Sequence, residues 1–123
     1  MFANKSNAKG NVSPNAGSDV YTRTSTTAET AFAAATKTLT QNAKVLRVSI
    51  TAVGGPAIFQ LGPFPDGRSV YKTAYPNQAE AVVVDLAGLP EFSGVIPSVT
   101  FGTQLPVTSS TVVLVFDWLK PSA

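Results

Sequence analysis

The chain contains no cysteine and no histidine. Without cysteine there is no disulfide framework, no thiol nucleophile and no thiolate ligand for a metal. Without histidine the commonest general base and the commonest metal ligand are missing. Charge is scarce as well: 13% of residues are Asp, Glu, Lys or Arg, about half the usual quarter. Long apolar runs are absent, none approaching the roughly 20 residues of a membrane-spanning helix. Met1-Phe2-Ala3-Asn4 lacks the hydrophobic segment of a secretory signal, so export by a signal of the chain's own is not expected. No helical periodicity stands out over any long stretch.

Threonine and serine fill the place left by charge, 14 and 11 among 123 residues. A neutral, hydroxyl-rich exterior suits a protein whose surface is covered by neighbours, since a free monomer ordinarily carries more charge. The length allows one domain with one core. The net charge of +2 is uneven. Residues 1–28 carry Lys5, Lys9 and Arg23 against Asp19, and residues 29–123 carry six basic and six acidic side chains. An arm of net +2 makes too few phosphate contacts to coat a nucleic acid, which argues against nucleic acid as a partner.

The apolar residues organise around the last strand, Thr111–Leu119, where eight of nine residues are β-branched, aromatic or leucine and Asp117 is the only charge. Its composition predicts a buried or nearly buried strand. Upstream, residues 44–53 alternate, placing Leu46, Val48, Ile50 and Ala52 on one face and Arg47, Ser49 and Thr51 on the other. Further strands are predicted at 20–24, 57–61, 69–73, 80–86 and 95–101, the last confined by Pro97 to an edge or a bulge. Alanines at 31–36 favour a helix, but the period-2 placing of Phe32, Ala34, Thr36, Thr38 and Thr40 favours extended structure. Gln41-Asn42-Ala43 reads as a turn, and Pro65-Asp66-Gly67 has the chemistry of a tight one. Seven or eight short strands separated by turn signals predict an all-β fold: a small sandwich or barrel of jelly-roll or Greek-key type. Residues 1–28 are expected to be an extended polar arm and residues 29–123 the β domain.

Chemistry has few places to sit. Asp85 and Asp117, both late in apolar strands, are the best candidates for a paired acid and base. Strand-end aspartates more commonly face solvent or a cation. Serine and threonine lack an activating base, no spacing suits a metal, and Gly54-Gly55-Pro56 lacks the Lys-Ser/Thr of a phosphate loop. No cofactor is expected, and the chain does not read as an enzyme. Tyr71 and Tyr75, near Arg68 and Lys72, could form a stacking platform for sugars or single-stranded nucleic acid. Phe64, bounded by Pro63 and Pro65, is either an exposed contact or a lid folded back on the core.

In outline the chain resembles small bacteriophage virion proteins of the capsid decoration or cement type. The resemblance lies in the Asn/Ser/Ala/Lys arm of residues 1–19, the Thr22–Thr27 tract and the compact Cys- and His-free β domain that follows. It implies a non-enzymatic structural protein of the virion, a homo-oligomer on the outside of a head, with copies of itself and a major capsid protein as partners. The arm would then augment a neighbour's sheet. On this reading Val20, Tyr21 and Arg23 in the arm, together with Phe64, Tyr71 and Tyr75, bind partners. A jelly-roll coat protein that itself forms the shell is the nearest alternative. A carbohydrate- or ligand-binding β module is the alternative from another class.

Overall fold

A computed structural model describes residues 15–120. Seven strands make up the fold: β1 (Ala16–Ser25), β2 (Ala33–Val53), β3 (Ala57–Leu61), β4 (Val70–Ala74), β5 (Val82–Asp85), β6 (Ile96–Gln104) and β7 (Ser110–Leu119). All pairings are antiparallel. The neighbour order is β1-β7-β2-β6-β3-β4, with β5 added to β2, and the sheet does not close into a barrel. The fold is therefore all-β, as the strand spacing predicts.

The 21-residue β2 explains how one sheet makes two layers. Its first half pairs with β6, from Ala33 opposite Thr103 to Thr38 opposite Ser98. Its second half pairs with β7 on one side and with β5 on the other. The expected turn at Gln41-Asn42-Ala43 is not a turn. The strand continues through it, and the register with β6 breaks between Thr38 and Ala43 as β2 passes from one layer to the other. The expected extended structure at 31–40 is present over residues 33–40. Pro97 sits opposite this irregular stretch, in the part of β6 that β3 does not reach. Its missing N–H costs no ladder bond there, although β6 is an interior strand rather than an edge.

A second irregularity corrects the expected facing of β2. The register with β7 slips between Val45 and Arg47, so Leu46 is the extra residue of a β-bulge. Val45, Val48, Ile50 and Ala52 are buried, whereas Leu46 is only half-buried. The displaced Leu46 carbonyl accepts from Leu86 N (2.8 Å) and Ala87 N (3.1 Å), which anchors the exit of β5.

The core lies between the layers. Phe101 of β6 meets Phe116 of β7 at 5.4 Å between ring centroids and Phe59 of β3 at 5.9 Å, and all three rings are fully buried. Tyr21 of β1 closes one side edge-to-face on Phe101 at 4.9 Å. At the opposite end Phe64 packs edge-on against Phe92 at 6.5 Å and is buried. Of its two expected roles it takes the lid. The turn beneath it is as expected, with Gly67 N donating to Phe64 O at 2.8 Å and Gly67 at φ 88°.

β7 departs from its expected full burial. Val112, Leu114, Phe116 and Trp118 point into the core, but Thr111, Val113, Val115 and Asp117 alternate onto a face that no second layer of the described residues covers. Burial is complete on one side only.

Candidate functional site

The uncovered face of β1, β7, β2 and β5 is the most unusual surface of the molecule. The registers place its side chains in rows across the strands. One row runs Val20, Val115, Ser49, Val83; the next Thr22, Val113, Thr51; the third Thr24, Thr111, Val53. Val20, Val53 and Val83 are about half exposed, at 51%, 55% and 47%. The threonine hydroxyls partly satisfy one another, as between Thr24 and Thr111 at 2.9 Å. These three rows contain no charge. Solvated sheet faces normally alternate polar residues outward, and isolated exposed valines are ordinary, whereas a neutral array spanning four strands is the candidate contact surface.

Charge gathers at one end, in the row Ser18, Asp117, Arg47 and Asp85 and in the row beyond it, where Lys44 stands opposite Leu119. Arg47 Nε donates to Asp117 Oδ2 at 2.8 Å, and Ser18 Oγ donates to Asp117 Oδ1 at 2.6 Å. Burial raises the affinity of Asp117 for its proton, but these two donors outweigh it and hold the carboxyl below its ordinary range. Asp85 accepts from Ala87 N at 3.2 Å. The two aspartates considered as an acid–base pair thus stand on either side of Arg47, two strands apart and roughly 10 Å from each other. Ser18, Asp117 and Arg47 link β1, β7 and β2 through their side chains.

β1 is fastened to the fold from its inner face. Arg23 makes a two-pronged pair with Glu29, NH2 to Oε1 at 2.6 Å and NH1 to Oε2 at 2.7 Å. It also donates to Thr103 Oγ1 and O. Glu29 in turn accepts from Leu105 N at 2.8 Å and donates its own N–H to Leu105 O. The Arg23 hydrogen bonds pull the Glu29 carboxyl from 4.5 down to about 2, against the opposing effect of burial. Asp19, 8% exposed, accepts from Thr40 Oγ1 (2.6 Å) and Thr40 N (2.7 Å). Burial pushes its carboxyl up, yet the Thr40 bonds and nearby Lys37 leave it lowered.

The expected partner-binding residues scatter over these surroundings. Val20 lies on the neutral face. Tyr21 and Arg23 point inward, against Phe101 and Glu29. Phe64 is buried. The part of the expected arm that is described, residues 16–25, is a strand of the chain's own sheet, and residues 1–14 lie outside the described residues. Tyr71 and Tyr75 are both exposed, but the ring nearest Tyr71 is Phe32, at 5.8 Å, and Tyr75 stands instead beside Ile50, Thr51 and Asn77. Phe32 went unrecognised as part of a platform because its approach depends on Gly102. A Cβ there would lie 3.3 Å from Phe32 Cβ. No local sequence signal joins residues 32, 71 and 102.

Among the described residues no cluster of three or more Asp or Glu is placed to hold a metal ion. The geometry defines a two-layered antiparallel β domain with one neutral, valine- and threonine-lined sheet face. The sequence matches no protein-family model and no curated protein.

Proposed function

We propose that this protein is a non-enzymatic structural protein that associates with copies of itself, and that its setting is a virus particle. There it stabilises or helps to build a capsid, as a decoration, cement or minor capsid component. The observation that carries the reading is the charge-free face of Val20, Val53, Val83, Val113 and Val115 with its threonines. Covering such a face gains roughly 25 cal/mol per Å² of apolar surface, without leaving a buried charge unpaired. The carboxylates favour the same reading: Asp19, Glu29, Asp66 and Asp117 each bind a donor of the fold. The low overall charge and the resemblance in composition supply the virion setting.

Electron microscopy and sedimentation of the purified full chain test this. Regular oligomers or particles are the expected result. A monodisperse monomer at every concentration would contradict it.

One observation favours a second reading. Phe32 and Tyr71 form a tilted aromatic pair, and the Gln60 amide beside it donates to Tyr71 Oη at 3.1 Å. Rings flanking an amide suit a sugar ring with its hydroxyls. Glycan-array binding that disappears on Tyr71→Ala would support a carbohydrate-binding module, and an unlabelled array would remove that reading.

A further inference from the structure

β1 is paired along all ten residues with β7 and, among the described residues, has no strand on its other side. The bond from Lys120 N to Asn15 O, at 2.6 Å, sets the phase of the ladder. It continues the register of Ala16 opposite Leu119. Odd-numbered residues of β1 therefore turn their main-chain groups toward β7, and the even-numbered Ala16, Ser18, Val20, Thr22 and Thr24 turn theirs outward. Among the described residues no backbone bond meets that outward row.

An open edge is a template for another strand unless it is guarded by brevity, proline, a bulge or an obstructing charge. The other edges carry such guards. β5 has four residues, β4 has five with Lys72 exposed, and β2's first half carries Lys37 turned inward opposite the buried Val99. β1 has none. It is long, in unbroken register and free of proline, and both its charges are turned inward onto Thr40 and Glu29.

We propose that β1 pairs antiparallel with β1 of a second copy, about a twofold axis through Val20. The proposal rests on the reading of the protein as self-associating and adds an edge contact to the neutral face. In this register Val20 faces Val20 of the second copy, Ser18 faces Thr22, and Ala16 faces Thr24. All five outward donor–acceptor rows are then satisfied. Moving the axis by one residue leaves one row unmet, and moving it toward the N terminus sets Asp19 against Asp19. With the axis at Val20, Asp19 faces Tyr21 and Arg23 faces Gly17, so no like charges meet. The product is one continuous sheet of eight strands that joins the two neutral faces into a single surface.

The absence of native cysteine makes the test direct. Opposed residues in a hydrogen-bonded antiparallel pair have Cα atoms about 5.5 Å apart, within the roughly 4.4–6.8 Å that a disulfide spans. Val20→Cys should form a covalent dimer under mild oxidation. Thr22→Cys alone, whose two copies stand about 13 Å apart, should not. Mixing Ser18→Cys with Thr22→Cys chains should give the mixed dimer, an independent check should Val20→Cys fold poorly. If the unmodified chain sediments as an oligomer while neither the Val20→Cys pair nor the mixed pair crosslinks, this edge is not the interface and the self-association reading stands. A monomeric unmodified chain would overturn both.

Discussion

Arg23 and Glu29 illustrate what single residues contribute. A guanidinium with two bonds to one carboxylate and two more to Thr103 fixes β1 over β6 from within. Glu29→Gln keeps the shape and removes the charge, and should cost about 1–2 kcal/mol in denaturant unfolding. Because the folded Glu29 carboxyl lies near 2 rather than 4.5, its stabilisation is complete above pH ~4.5 and is lost as pH falls toward 2. With both side chains about a fifth exposed, solvent screening limits this pair to about 1 kcal/mol of the acid effect. Asp19 and Asp117, also lowered, act in the same direction. Unfolding midpoints measured from pH 7 to pH 2 should fall, and more gently in Glu29→Gln. Gly17 is equally specific: a Cβ there would stand 2.4 Å from the Trp118 ring. Gly17→Ala should destabilise by about 1–3 kcal/mol and shift the emission of Trp118, the only tryptophan.

At the level of elements, β2 determines the fold. Its bulge at Leu46 leaves Val48, Ile50 and Ala52 in the core as alternation expects but puts Val45 there in place of Leu46, so Val45→Ala should cost about 2 kcal/mol and Leu46→Ala less than about 1, a contrast that equilibrium unfolding would resolve. Strict alternation of Leu46, Val48, Ile50 and Ala52 predicts the reverse ranking. Alternation in sequence is blind to a bulge, because the extra residue is defined by its partner strand. The same blindness hid the passage of β2 through Gln41-Asn42-Ala43, a turn by composition that the pairing with β6 and β7 keeps extended. β3, by contrast, was legible to the residue: Gly54-Gly55-Pro56 and Gly62-Pro63 bound it, and its apolar pattern is regular. β7 was legible as a strongly apolar strand but not in its burial or its place, since it lies beside the edge strand β1 and it is β2 on which β5, β6 and β7 gather. A strand apolar on both faces reads as covered twice, and the described residues provide one cover.

At the scale of the molecule, that missing cover is the main finding. Valines on β1, β7, β2 and β5 come from four separated stretches, and only the registers gather them into one neutral surface. The sequence hinted at it through scarce charge and abundant threonine, without locating it. Arg23 and Tyr21 looked like partner-binding residues because nothing local tells an inward-facing edge residue from an outward one. The most direct test is sedimentation of the unmodified chain beside Val115→Lys, which places one charge at the centre of the neutral face. Unchanged Trp118 emission would verify that the fold is kept. The unmodified chain should sediment as an oligomer and Val115→Lys as a smaller species. Identical sedimentation of the two would contradict the assignment of this face as the surface of assembly.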